Sequence, residues 1–183
     1  MLLIGPTVGF RLLGRLGISR FATWRASVVH GLAVMLVATA TAHFTPPSVS
    51  VMPSRDDLAA MVPPSVPLPR VMVYVTGLLE LLGAAGLVRA VTRPVAGIGL
   101  AVLFVLMLPA NIYAAIENIP LNGDPATPLW FRIPEQLLFI AIALWAATTA
   151  HETPHRHWPA AIRPGTDDTV AARSEVPPGC GRC

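Results

Sequence analysis

A single carboxylate lies in the middle of a long apolar segment. Residues 71–88 (VMVYVTGLLELLGAAGLV) contain no charged side chain other than Glu80. As an α-helix this segment is roughly 27 Å long, close to the ~30 Å hydrocarbon core of a bilayer. A carboxylate at that depth is costly unless it faces a partner or a wet cavity, and desolvation disfavours its charged form. We therefore expect a largely protonated Glu80 that donates a hydrogen bond, either at a functional site or as a structural link to a neighbouring helix.

The two faces of this helix differ in side-chain size. Steps of three and four residues from Glu80 give a mostly small stripe, which lets another helix approach closely; its members are Thr76, Gly77, Gly83, Ala84 and Leu87. The opposite stripe consists of large aliphatic residues that suit lipid, namely Val75, Leu78, Leu79 and Leu82.

Other polar residues lie near the ends of three further apolar segments. His43 ends the first, and Asn111 follows Pro109, which cannot donate to the helix ladder and should kink the third. Each has a structural alternative: a solvated helix end for His43, and bonds to the carbonyls freed by Pro109 for Asn111.

The start of the last apolar segment is also polar. Arg132 is followed by Glu135 and Gln136, both within one helical turn. An interface ion pair between Arg132 and Glu135 is one interpretation. A ligand-binding role is the other, because in an antiparallel bundle these side chains meet those of the other segments at one end and form a funnel with Glu80 near its floor.

Four apolar spans predict an all-α, integral membrane, antiparallel four-helix bundle. The spans cover about residues 26–42, 71–88, 95–116 and 130–147, within a domain of residues 25–147. We expect residues 1–24 to form a basic cytoplasmic leader, either as a surface helix or as a loose segment weakened by its glycines. The Pro-rich connection 44–70 contains one short amphipathic stretch after Ser54, which predicts a lid or an ordered loop. Residues 148–183 are expected to be a disordered cytoplasmic tail.

The arginines near the span ends are distributed unevenly. Most lie on the side of the N-terminus, and Arg55, Arg70 and Arg132 lie on the other side. The positive-inside rule therefore predicts a cell-membrane protein with both termini in the cytoplasm. The net charge of +3 is small, and no arginine cluster alternates with aromatic residues, so the sequence does not indicate a nucleic-acid partner.

Two cysteines end the tail in a Cys-x-x-Cys arrangement, Cys180 and Cys183, with three histidines upstream. Thiolates at this spacing can bind a metal ion. A single such pair is weak support for a metal site, and chance is the alternative.

Five motifs together resemble the DoxX and DoxX-like family over residues 24–145. They are residues 41–44 (TAHF), 61–69 (MVPPSVPLP), 74–83 (YVTGLLELLG), 109–113 (PANIY) and 132–136 (RIPEQ). The resemblance implies a small four-helix membrane bundle associated with membrane redox complexes. It also implies His43, Glu80, Asn111, Arg132 and Gln136 as the polar ligand-binding positions. Glu135 departs from the family pattern, where an apolar residue is expected.

The resulting functional expectation is an accessory subunit of a quinone-linked membrane redox system, or a binder of another lipophilic molecule. A small-molecule transporter or proton relay that uses Glu80 is the first alternative, and an assembly factor for other membrane proteins is the second. The sequence contains no nucleotide-binding loop and no nucleophile constellation, which favours a non-catalytic or accessory subunit of an oxidoreductase complex over an autonomous enzyme. Its expected partners are the lipid bilayer, membrane redox proteins and further copies of itself.

Overall fold

The chain folds as an all-α bundle of antiparallel helices. The structure, a computed structural model, describes residues 2–49 and 51–148. Its helices are α1 (Ile4–Arg15), α2 (Trp24–Phe44), α3 (Arg55–Ala60), α4 (Pro69–Val88), α5 (Arg93–Ile116) and α6 (Leu129–Ala147), with a 3-10 turn at Ser19–Phe21.

Helices α2, α4, α5 and α6 correspond to the four predicted spans. They contain 21, 20, 24 and 19 residues, and by length and composition each can cross a membrane. In the described part of the chain these four are the helices that meet both criteria. The protein is therefore a multi-pass membrane protein, as the apolar segments predicted.

The four long helices form a closed ring in the order α2, α4, α5, α6. Consecutive helices contact along their lengths, and the ring is closed where Arg25 of α2 donates to the Trp145 carbonyl of α6 at 3.1 Å. We call the end where α2 and α5 finish and α4 and α6 begin the distal end, and the opposite end the proximal end. The solid core lies toward the proximal end, where Leu32, Leu87 and Leu100 are at most 2% exposed.

Small residues determine how closely the helices approach. On α4 the buried face includes Gly77, Gly83 and Ala84, as the stripe around Glu80 predicted. A Cβ at Gly83 would lie 2.4 Å from Leu100 Cδ2, and a Cβ at Gly97 would lie 2.5 Å from the Ala143 carbonyl oxygen. The stripe predicted to face lipid is exposed on the outside of the bundle, with Leu78 54% and Leu82 60% exposed.

The N-terminal leader is not a loose segment. Helix α1 packs along α2, and Thr7 lies so close to Gly31 that a Cβ there would come within 2.2 Å of the threonine Oγ1. Gly14 likewise has no room for a side chain, because its Cβ would lie 2.1 Å from the Phe21 carbonyl oxygen. The close approach of α1 to α2 is thus permitted by Gly31 of α2, whereas nothing lies within 4 Å of a Cβ at Gly5 or Gly9 in α1.

The connection between α2 and α4 covers the distal end of the bundle. Ser54 and Asp57 form a capping box at the start of α3. Arg55 donates to the Tyr74 hydroxyl at 2.9 Å, and Arg70 Nε lies 3.3 Å from Asp56 Oδ1. These contacts attach α3 to the first turns of α4.

Candidate functional site

A cavity of about 650 Å³ lies in the distal half of the bundle. Its wall contains side chains of α2, α4, α5 and α6, and it is covered by the α2–α4 connection. The five polar residues selected from the sequence all line this distal cavity: His43, Glu80, Asn111, Arg132 and Gln136. The structure therefore brings together side chains that are far apart in the chain.

Glu80 lies in the deep part of this site and is 4% exposed. Its Oε2 is 3.2 Å from the Thr39 hydroxyl, and its Oε1 is 3.7 Å from His43 Nε2. The nearest polar groups are thus on α2. Arg132, at the beginning of α6, forms no ion pair with Glu80.

His43 is held in one orientation by the backbone of α4. Its Nδ1 lies 2.7 Å from the Val73 carbonyl oxygen, so this nitrogen carries the hydrogen and donates it. The position opposite His43 is Gly77, where a Cβ would lie 2.5 Å from His43 Cβ. With Nδ1 fixed, Nε2 faces Glu80, and one proton can reside on either member of this histidine–carboxyl pair.

Thr39 was not selected from the sequence, although it lies one turn before His43 on the same face of α2. Its hydroxyl is also 3.1 Å from the Met35 carbonyl and 3.2 Å from the Leu36 carbonyl. Since a hydroxyl has one hydrogen and two acceptor lone pairs, it can donate to its own helix and still accept from a protonated Glu80. This arrangement is compatible with the expected Glu80 donor.

A chain of amide hydrogen bonds links α5 and α6 beside the cavity. Asn111 Nδ2 donates to Gln136 Oε1 at 3.3 Å, and Gln136 Nε2 donates to the Phe104 carbonyl at 2.9 Å. Phe104 immediately precedes Val105, whose carbonyl loses its helical donor because Pro109 has no N–H. The hydrogen bond between α5 and α6 near Pro109 is therefore donated by Gln136. Asn111 binds Gln136 and does not bind the carbonyls that Pro109 leaves without a donor.

Arg132 lines the cavity without a partner. Its Nε is shielded from solvent and has no hydrogen-bond acceptor, and it makes no ion pair within the described part of the chain. The alternative of an ion pair with Glu135 is wrong, because no guanidinium nitrogen of Arg132 lies within 4.0 Å of a Glu135 carboxylate oxygen. The extra acid at this position consequently leaves the guanidinium charge uncompensated.

The apolar part of the cavity wall is rich in methionine. Of the 6 methionines in the chain, those at positions 35, 52, 61, 72 and 107 line the cavity. Phe104 and Phe139 complete the wall near the amide chain. Thioether side chains are flexible and polarisable, so a wall of this kind adapts to apolar ligands of different shapes.

The other residues considered from the sequence lie elsewhere. His30 packs against Phe10 and Phe21 at the contact between α1 and α2, and its Nδ1 is 2.7 Å from the Ala26 carbonyl. Cys180 and Cys183, the candidate metal ligands, lie outside the described residues. Within residues 2–49 and 51–148, no three His, Cys, Asp or Glu side chains are grouped so that they could hold a metal ion.

Comparison with known proteins gives one match. No curated protein and no solved structure matches the chain. A family model described as a domain of unknown function (DUF8561) matches residues 32–147, which include α2 from its third turn onward and all of α3 to α6. The matched range contains every residue of the cavity wall except Leu2, which precedes it. The chain therefore belongs to the DUF8561 family.

Proposed function

We propose that this protein binds a lipophilic small molecule in the distal cavity. The observation that carries the proposal is the composition of the cavity: about 650 Å³ of space with an apolar, methionine-rich wall and a few convergent polar side chains. Ligand sites of proteins have this size and this mixture of apolar wall and fixed polar groups. A ligand from the bilayer would exchange lipid contacts for these side chains and would gain hydrogen bonds that lipid cannot offer.

A role as accessory subunit of a membrane redox system, with a quinone as ligand, is the more specific form of this proposal. It rests on the resemblance of the five motifs to the DoxX and DoxX-like family. The site chemistry is compatible with it, since a quinone has two carbonyl oxygens that accept hydrogen bonds. Arg132 and Asn111 offer donors toward the distal end, and the His43–Glu80 pair offers a proton deeper in the cavity.

A proton relay is a second candidate, and the His43–Glu80 pair is the observation in its favour. The Nε2 and Oε1 atoms are 3.7 Å apart and both side chains are buried. Buried ionisable residues inside membrane helices commonly belong to proton or substrate pathways. Proton-coupled flux in liposomes that is lost in Glu80→Gln would favour this candidate over a passive binding site.

For the orientation we propose that both termini are cytoplasmic. The proximal end presents Arg20, Arg25 and Arg93, which donate to the carbonyls of Val88, Trp145 and Leu87. Arg11, Arg15 and Arg89 also lie toward this end, so six described arginines are proximal, against three at the distal end, Arg55, Arg70 and Arg132. This asymmetry supports a cytoplasmic proximal end by the positive-inside rule.

The test of ligand binding is purification of the full chain in a mild detergent, followed by mass spectrometry of the extracted lipophilic molecules. A cavity-filling variant, Met107→Trp, is compared with Leu106→Trp, whose side chain is 70% exposed on the outside of the same helix. We expect an enriched small molecule with the wild type and Leu106→Trp, and its loss with Met107→Trp. Absence of any enriched molecule from the wild type, or its full retention by Met107→Trp, would contradict the proposal.

A further inference from the structure

Arg132 is a cation in the wall of the distal cavity, and none of residues 2–49 and 51–148 forms an ion pair with it. Arginine stays protonated in proteins, and the Arg132 Nε is shielded from water without an acceptor. The residue as a whole is only partly buried, so its other guanidinium N–H groups remain available to an anion that enters the cavity.

The nearby acids are engaged elsewhere. Glu80 lies deeper in the cavity beside Thr39 and His43. In the lid, Asp57 accepts from Ser54 and Asp56 lies beside Arg70. Glu135 is on α6 but outside the cavity wall. Glu117 and Asp124, in the distal connection between α5 and α6, are exposed and form no ion pair with Arg132, so within the described part of the chain Arg132 is free to bind an added anion.

The chemistry around Arg132 specifies the charge and shape of this anion. The neutral side chains beside it are the amides of Asn111 and Gln136, so one guanidinium faces the anionic group and balances a single negative charge. A guanidinium presents its N–H groups as a planar fork that matches a carboxylate with two parallel hydrogen bonds. A phosphate monoester would bring a second charge that nothing in this wall balances.

Resting on the proposed function, we propose that the ligand is a single-chain amphiphile with a carboxylate head. Its carboxylate binds Arg132 near the distal rim. Its apolar chain lies against the methionines and Phe139. A neutral quinone would fill the same space but would leave the charge of Arg132 uncompensated.

The probe experiment uses the purified full chain in a neutral detergent and native mass spectrometry. Equal amounts of palmitate and hexadecanol, which have the same chain length and differ in the head group, are added together. The ratio of bound palmitate to bound hexadecanol is divided by the ratio of the same two molecules in protein-free micelles. It is measured for the wild type, Arg132→Gln, Arg132→Lys and Arg89→Gln, a control at the exposed proximal end of the bundle. Hexadecyl phosphate is added in a separate competition.

We expect the wild type and Arg89→Gln to prefer palmitate by about tenfold or more, the effect of one charge-assisted hydrogen-bond pair. Arg132→Gln should lose this preference, and Arg132→Lys should keep part of it. Displacement of palmitate by an equal amount of hexadecyl phosphate would overturn the carboxylate class. If Arg132→Gln does not fold, the corrected wild-type ratio decides: a value near one overturns the inference.

Two further outcomes separate this inference from the proposed function. Equal, saturable binding of palmitate and hexadecanol that Met107→Trp abolishes would leave the ligand-binding function standing and remove the carboxylate assignment. Binding of neither molecule would count against both.

Discussion

At the residue scale, the sequence predicted which polar side chains meet but not how they pair. Glu80, His43, Asn111, Arg132 and Gln136 share one cavity because they lie at corresponding heights of antiparallel helices. Their partners depend on side-chain directions across helices, which a single sequence does not contain. For this reason Thr39 was missed beside Glu80, and Arg132 was paired with Glu135 by spacing alone.

The role of Glu80 can be separated from its contribution to folding. Glu80→Gln keeps the shape, an acceptor for Thr39 and a donor toward His43, so we expect its melting temperature in detergent to stay within a few degrees of the wild type. Glu80→Leu should also fold, because the Thr39 hydroxyl can bond its own helix at the Met35 and Leu36 carbonyls. It should nevertheless lose the retained ligand.

Both properties are measured on the same samples, by thermal unfolding in detergent and by mass spectrometry of the extract. Unfolding of Glu80→Gln would indicate that the carboxyl is ionised and paired with His43. Full ligand retention by Glu80→Leu would leave Glu80 with a structural role only.

At the element scale, glycines are the residues that determine the spacing of the bundle. Gly97 and Gly99 are both in α5, but a Cβ at Gly97 would meet the backbone carbonyl of Ala143, whereas nothing lies within 4 Å of one at Gly99. A backbone atom cannot move aside as a flexible side chain can. The contact between α5 and α6 is thus sensitive to a single methyl group.

This pair gives a matched test of helix packing. We expect Gly97→Ala to lower the free energy of unfolding by about 1–3 kcal/mol, the usual cost of overpacking. Gly99→Ala should be neutral or should stabilise by up to about 1 kcal/mol, since alanine is the better helix former. Unfolding of both variants in detergent checks this, and equal stabilities would mean that α5 and α6 are not packed at this distance.

The docking of α1 depends on one glycine of its partner helix. We expect Gly31→Ala to displace α1, because the new methyl group would overlap with Thr7. Gly9→Ala is the control, since open space surrounds that position. Hydrogen exchange of the amides in Ile4–Arg15 should accelerate at least tenfold in Gly31→Ala and stay unchanged or slow in Gly9→Ala. Unchanged protection in both variants would show that α1 does not require this contact.

At the scale of the whole molecule, the four spans were predictable because each is a long apolar run that lipid requires to be helical. Most of the observed helix ends lie one or two residues outside the predicted spans. Trp24, Arg93 and Leu129, for example, still belong to helices. The docking of α1 was not predictable. Its glycines lower helix propensity when counted alone, and the fit of Thr7 against Gly31 of α2 is visible only when both helices are in place.

The orientation of the molecule can be tested by cysteine labelling. In a cysteine-free background we expect new cysteines at Asp57 and Asn122, at the distal end, to react with an impermeant thiol reagent added to intact cells. A cysteine at Thr92, at the proximal end, should react only after the cells are opened. Labelling at Thr92 alone in intact cells would reverse the proposed orientation.

The closure of the ring by α2 and α6 constrains how the protein is synthesised. Arg25, at the start of α2, donates to the Trp145 carbonyl and to the Thr148 hydroxyl at the end of α6. Gln136 of α6 donates to the Phe104 carbonyl of α5. A nascent chain that has inserted α2, α4 and α5 but not α6 leaves the Phe104 carbonyl without this donor, and its cavity is open on one side to lipid. The distal cavity is therefore the last part of the protein to form during membrane insertion, and until then the insertion machinery or lipid must cover the polar groups that α6 later binds.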